Sequence, residues 1–317
     1  MKILITGGAG FIGASVAKKL LEEKHEVVII DNLNDYYDVK LKQDRLKIFL
    51  AGLKFKFYKA NITNYKQLEK IFAKHKFDCI CHLAAQVGVR YSLTNPWIYE
   101  KTNIAGTFNL LELAKMNKIK KFVFASSSSV YGGNTKLPFM ETDSVDKPVS
   151  FYAATKKSCE LLAYTYYSLY GIKICGLRFF TVYGPWGRPD MAYFKFIDLA
   201  RKNKSIEIYN FGKMKRDFTY IDDIVLGVVS AIKNTFDYEI INLGNNKPEE
   251  LGRMIFLLEK YFRKFTKKKY LPMQAGDVVV TWADINKAKK LLNYNPSTSL
   301  DEGIKKFIAW YKAYYKI

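Results

Sequence analysis

The segment "KILITGGAGFIG" (2–13) constrains this chain more than any other. A short apolar run leads into three glycines spaced three apart, Gly7, Gly10 and Gly13, and an apolar helical pattern runs from Phe11 to Glu23. Strand, glycine turn and helix in that order make a dinucleotide fingerprint. The glycines permit a tight turn and close backbone approach, and the helix N-terminus offers free N–H groups to a pyrophosphate. A second strand, 26–30, leads into Asp31, 18 residues after Gly13. A carboxylate there accepts from the adenosine ribose hydroxyls and repels a 2′-phosphate, so the expected cofactor is NAD rather than NADP.

The alternation continues. Strand patterns at 55–60, 77–85, 121–127 and 172–179 are separated by helical patterns at about 64–75, 95–117 and 151–170. This is the pattern of an α/β doubly wound parallel sheet. Beyond it, helices at about 192–203, 221–234, 248–264, 285–292 and 300–314 mix with short strands. There is no internal repeat and no low-complexity linker. We expect a cofactor-binding domain of residues 1–180 plus about 220–246. A smaller C-terminal α/β substrate-binding domain, about 181–219 and 247–317, would grow from loops at the carboxyl ends of the strands.

The net charge of +21 raises the question of nucleic acid. The 43 lysines are spread along the chain against only 8 arginines, and no nucleic-acid module accompanies them, so no such partner is expected. Arg90, Arg178, Arg188 and Arg216 fall in motif segments; Arg45, Arg201, Arg253 and Arg263 lie in helical stretches, where a solvated face is the plain expectation. No apolar run is long enough to cross a membrane. The sequence opens directly into a strand pattern, so no secretory signal is expected. Cys79, Cys81, Cys159 and Cys175 have neither disulfide nor zinc spacing and are expected as buried, reduced thiols, which implies a cytoplasmic protein. With three histidines and no clustered acidic pair, no metal is expected. His82 reads as a structural histidine, Asp222 and Asp223 as a helix N-terminal cap, and the aromatic stretch 307–315 as core packing.

Two further motifs carry chemistry. In "VSFYAATKK" (149–157), Tyr152 and Lys156 are four apart on a helix and share one face. A phenol alone is a poor base near neutrality, but an adjacent ammonium favours the phenolate. Such a pair can take a proton from a sugar hydroxyl as hydride leaves the carbon, and return it later. In "ASSSSVYG" (125–132), four serines end an apolar strand where such a sheet presents its ligand; at least one hydroxyl should meet the reacting oxygen, while others cap the loop.

Gly7-x-x-Gly10-x-x-Gly13, the serine run before "VYG" and Tyr152-x-x-x-Lys156 together resemble the extended short-chain dehydrogenases, specifically the nucleotide-sugar epimerase and dehydratase group. Five segments, "DNLNDYYDVKLKQDRL" (31–46), "HLAAQVGVRYS" (82–92), 168–192, "GKMKRDFTYIDDI" (212–224) and "LPMQAGDVVVTWAD" (271–284), are similar to its UDP-glucuronate 4-epimerase branch. The resemblance implies a Rossmann domain, bound NAD, a UDP-sugar substrate and a homodimer paired through the helical segments 95–117 and 151–170.

It also implies roles. Tyr152 would be the acid/base, Lys156 its activator and a holder of the nicotinamide ribose, and Ser127 the catalytic hydroxyl. Phe11, Ile12, Asn32, Asn61, Ile62, Leu83, Ala84, Ala85, Gln86, Ser126 and Phe179 would line the cofactor, with Asn103 in support. Asn61 stands where the group usually has Asp. Gln86, Arg90, Thr181, Arg188 and Met191 would bind the substrate, Ser128 and Ser129 would line the sugar pocket, Arg216 would meet the diphosphate and Asp277 the uridine ribose. Oxidation of glucuronate at C4 creates a β-keto acid, so Arg188 on the stiff loop "GPWGRP" (184–189) is expected to fork the carboxylate, with Thr181 and a serine as further donors; the plainer alternative pairs Arg188 with Asp190. Alternatives for the whole chain are another UDP-hexose 4-epimerase, a UDP-glucuronate decarboxylase, or a non-catalytic NAD- and UDP-sugar-binding protein. A dehydratase would need acidic groups where Ser127, Ser128 and Ser129 stand.

Overall fold

The computed structural model describes residues 1–264, 267–274 and 277–317. Its strands are β1 (Lys2–Thr6), β2 (Glu26–Asp31), β3 (Lys56–Lys59), β4 (Cys79–His82), β5 (Lys121–Ser127), β6 (Lys173–Phe179), β7 (Thr181–Tyr183), β8 (Ile206–Tyr209), β9 (Lys215–Tyr220), β10 (Tyr238–Leu243), β11 (Pro248–Glu250) and β12 (Lys268–Leu271). Seven form one sheet in the order β10-β6-β5-β4-β1-β2-β3, with every pairing parallel. The order reverses between β1 and β4, and ligands bind such sheets at that switch point. The central strands are apolar on both faces, as a sheet covered by helices on each side requires.

The remaining strands make two small sheets, β11-β9-β7 and β12-β8. Helices Ala192–Arg201, Leu251–Phe262 and Leu300–Tyr315 pack with them. The last begins with a capping box: the Ser299 hydroxyl accepts from the Glu302 N–H, and the Glu302 carboxylate accepts from the Ser299 N–H. Its Phe307, Ile308 and Tyr311 are buried, as expected of that aromatic stretch. Among the described residues no helix is long and apolar enough to cross a membrane.

Several details differ from the sequence reading. Strand β4 stops at His82, and residues 83–85 leave the sheet. The 95–117 helix is interrupted: Pro96–Tyr99 and Gly106–Met116 flank a π-helical stretch, Glu100–Ala105. Residues 248–250 are an antiparallel edge strand on β9, and the helix starts only at Leu251. Asp222 and Asp223 sit in the first turn of helix Ile221–Lys233 but do not cap it; Asp223 instead accepts the Ser297 and Thr298 N–H groups. The largest correction is Arg45. It is not on a solvated face but fully buried. Ala275 and Gly276, in the 271–284 segment, lie outside the described residues.

Candidate active site

A cavity of about 390 Å³ opens at the carboxyl ends of β1, β2, β4, β5 and β6. Its first wall is the glycine turn. Gly7 has a φ of +69°, and a Cβ there would stand 2.7 Å from the Ala84 nitrogen. A Cβ on Gly13 would stand 2.2 Å from the Gly7 carbonyl oxygen, so the helix packs directly onto the turn. That helix, Phe11–Glu22, begins at Gly10 with no side-chain cap. Its first N–H groups therefore face the cavity uncapped, which fits a pyrophosphate. Asp31 also lines the cavity; its carboxylate accepts from the Ala9 N–H at 3.1 Å and the Leu33 N–H at 2.8 Å. A carboxylate has room for further donors beyond these two.

Asn32, Asn61 and Ile62 line the same space, and the Asn61 side-chain oxygen turns back to the Thr63 N–H. Leu83, Ala84, Ala85 and Gln86 run along it after β4. Asn103 does not touch the cavity. From the π-helical stretch it bonds both backbone groups of Gln86, accepting from its N–H at 2.8 Å and donating to its carbonyl at 3.1 Å. A third bond runs to the Thr155 hydroxyl at 3.0 Å. The wider π turn thus ties residues 83–86 to helix Phe151–Tyr170.

That helix carries Tyr152 and Lys156. Ser150 caps it, accepting from the Ala153 N–H at 3.1 Å, and Gly171 closes it in the left-handed conformation. Both Tyr152 and Lys156 line the cavity. Lys156 is buried and donates to the Ala125 carbonyl at 2.8 Å. The Tyr152 ring packs edge-on against Tyr99 at 6.1 Å.

The serine run follows β5. Ser126 donates to Glu160 at 2.6 Å, and Glu160 forms a buried two-pronged pair with Arg178, both bonds 2.9 Å. Arg178 is therefore a supporting residue behind the run. The Ser127 hydroxyl accepts from the Ser129 N–H at 3.2 Å, which leaves its proton free to donate. Ser127, Ser128 and Ser129 all line the cavity, as do Phe179, Thr181, Arg188 and Met191.

Arg188 forks onto Asp190, with bonds of 3.0 and 2.5 Å. Burial alone would lower the guanidinium's proton affinity, but the Asp190 carboxylate outweighs it and holds Arg188 above its usual value. The plainer of the two expected partners thus occupies Nε and Nη2.

Arg90, Arg216 and Asp277 form a separate cluster beside the cavity residue Val89. Arg90 pairs with Asp277 at 2.7 Å and lies over the Tyr209 ring at 4.6 Å. Burial lowers the Arg216 value; Asp277 opposes this and Arg90 adds repulsion. Two guanidinium groups against one carboxylate leave a net positive charge, suited to a diphosphate.

His82 is a structural residue as expected. It is buried between the Thr6 and Thr107 hydroxyls at 2.7 and 3.0 Å, and burial, with Lys156 adding repulsion, lowers it to about 3. The four cysteines are free and buried, and burial pushes each thiol up.

Tyr36, Tyr37 and Lys42 also line the cavity, though sequence reasoning gave them no role. Tyr36 contacts Asp190 at 3.5 Å, and Lys42, lowered by burial to about 8, donates to Asn34. Their only signal was membership of the 31–46 segment.

A model of the NAD dependent epimerase/dehydratase family matches residues 3–244. A UDP-glucuronate 4-epimerase of Thermodesulfobacterium geofontis is 51% identical over 310 residues, covering 98% of this chain and 95% of that protein. The solved UDP-glucuronic acid 4-epimerase from Bacillus cereus, in complex with UDP-glucuronic acid and NAD, superposes with a TM-score of 0.91 at 36% identity, covering 99% of this chain and 100% of that one. The UDP-glucose 4-epimerase of Thermotoga maritima, solved with UDP-glucose, gives 0.90 at 31%, with the same coverage. With a glycine turn, an aspartate after β2 and a Tyr152/Lys156 helix around one cavity, and a family match over most of its length, this chain belongs to the NAD-dependent epimerase/dehydratase family.

Proposed function

We propose that the chain interconverts UDP-glucuronate and UDP-galacturonate by inverting C4, with NAD as a resident cofactor. The observation that carries this reading is the convergence of Tyr152, Lys156, the 127–129 hydroxyls and Arg188 on the cavity that the glycine turn also lines. The glycine turn, Asp31 and residues 83–86 would hold NAD, which when bound would supply the hydride acceptor and donor for C4. Tyr152 takes the proton of the 4-hydroxyl and later gives it back, with Lys156 one helical turn along on the same cavity wall. Ser127 donates to the same oxygen. The 4-keto sugar turns about its diphosphate, which Arg216 and Arg90 hold, and presents its other face. Binding energy from UDP keeps the ketone in place during the turn. Arg188, Thr181 and a serine hold the C5 carboxylate out of the orientation that would expel carbon dioxide.

One observation favours a second reading. Asp190 already fills two prongs of Arg188, which suits a neutral hexose such as UDP-glucose. Incubation with UDP-glucuronate and with UDP-glucose separates the two. Conversion of UDP-glucuronate to UDP-galacturonate, without carbon dioxide, is expected; a preference for UDP-glucose, or release of UDP-pentose, would overturn the primary reading.

The unit binding NAD would comprise residues 1–180 and about 220–246, a division supported by the membership of β10 in the large sheet. The reduced thiols support a cytoplasmic location. Homodimer formation through helices 95–117 and 151–170 is supported by apolar side chains left exposed there, among them Trp97 (78%), Leu161 (57%) and Leu169 (65%).

A further inference from the structure

Arg45 is fully buried, and no carboxylate among the described residues pairs with it. All its acceptors are neutral oxygens. Nε and Nη2 donate to the Trp186 carbonyl at 2.9 and 2.7 Å, and Nη2 also to the Gly187 carbonyl at 2.9 Å. Nη1 donates to the Ala9 carbonyl at 3.0 Å and to the Tyr37 hydroxyl at 2.8 Å. Burying a guanidinium without a counter-charge is costly, and an apolar side chain of similar volume would serve packing alone at lower cost.

What the charge accomplishes is a connection. Ala9 lies inside the glycine turn, between the cavity residues Gly7 and Gly10. Trp186 and Gly187 lead directly into Arg188, also on the cavity, and stand 141 and 142 residues from Arg45 in sequence. The Arg45 guanidinium is therefore one rigid plate bonded to both loops. The second loop needs holding. Trp186 has a φ of +60°, a left-handed conformation that a bulky residue keeps only when its surroundings impose it. A planar fork with five donors spans these carbonyls; a lysine ammonium is a point charge and does not.

We propose that Arg45 is a positioning residue for the reaction: it fixes the spacing between the cofactor turn and the loop carrying Arg188, and so controls whether the 4-keto acid is held for reduction or loses its carboxylate. The proposal rests on UDP-glucuronate being the substrate. In the losing branch the bond from C5 to the carboxylate carbon breaks, its electron pair becomes the enolate of the C4 ketone, carbon dioxide departs, and C5 takes a proton from solvent. A loop that shifts lets the carboxylate rotate into the orientation this requires.

The test compares the wild-type and Arg45→Lys holoenzymes on UDP-glucuronate, counting UDP-galacturonate and carbon dioxide. It is paired with amide hydrogen exchange of the wild-type protein with NAD bound and stripped. In Arg45→Lys, kcat/KM should fall at least about tenfold, and the ratio of carbon dioxide to UDP-galacturonate should rise by a similar factor, the scale of sub-ångström misplacement. Stripping NAD from the wild type should speed exchange at 184–191 together with 7–14. A folded variant with an unchanged product ratio overturns the proposal, as does exchange at 184–191 that ignores NAD while 7–14 responds. If the wild type makes no UDP-galacturonate, the substrate reading fails, and the same exchange comparison made on Arg45→Lys, or on Arg45→Met if that variant does not fold, decides whether Arg45 couples the loops. NAD should then slow 7–14 but no longer 184–191, and a response at 184–191 as large as the wild type's overturns the proposal.

Discussion

At the scale of single residues, the account stands on Tyr152 and Arg188. Tyr152→Phe keeps the ring that packs on Tyr99 and removes only the proton carrier. Turnover should fall by at least about a hundredfold with UDP binding intact, the usual scale of general acid–base catalysis; near-normal turnover in that variant would mean another group is the base. Arg188→Ala should lose most of the preference for UDP-glucuronate over UDP-glucose, by about 30-fold to several-thousandfold, since removing one partner of a buried charge pair costs about 2–5 kcal/mol. The kcat/KM ratio for the two sugars reads this, and an unchanged ratio would confine Arg188 to its pairing with Asp190. Tyr152 and Lys156 were legible in the sequence because they share one unbroken helix, where a spacing of four fixes a common face. Arg45 was not, because three of its five hydrogen bonds run to the Trp186 and Gly187 carbonyls, more than a hundred residues away. The same holds for Asp217, whose carboxylate accepts the Asn245, Asn246 and Ala283 N–H groups from two distant segments.

At the scale of elements, strands and helices of the large sheet followed their hydrophobic periods, and the deviations fall where side chains override them. The 95–117 helix has a continuous helical pattern, and nothing local to it marks the π turn that carries Asn103 to the Gln86 backbone. Edge strand β11 is three residues long and owes its pairing to β9, so its own sequence resembles the helix that follows. The end of β4 carries a testable consequence. His82 ionises near its ordinary value of about 6.5 when unfolded but only at about 3 when folded. Between those values the unfolded state binds the extra proton, so the stability this group contributes is present above about pH 6.5 and is lost as pH falls toward 3. From pH 7 to pH 5 the loss amounts to about 2 kcal/mol. Urea unfolding of His82→Gln should show a shallower decline over that range than the wild type; parallel curves would mean His82 does not stay neutral.

At the scale of the whole molecule, the helical segments 95–117 and 151–170, which carry Asn103, Tyr152 and Lys156, also leave Trp97, Phe108, Leu161 and Leu169 exposed. A homodimer would cover them, and would stiffen the active-site helices by the same contact. Sedimentation at micromolar concentration should give twice the mass of the 36.7 kDa chain; a monomer would remove this interface from the account. The central claim is that C4 is oxidised, the sugar turns, and the same hydrogen comes back within one active site. UDP-glucuronate carrying deuterium at C4 tests it most directly. The account predicts UDP-galacturonate that retains the deuterium at C4, formed without added NAD. Deuterium lost to solvent, or a labelled pentose in place of UDP-galacturonate, would contradict it.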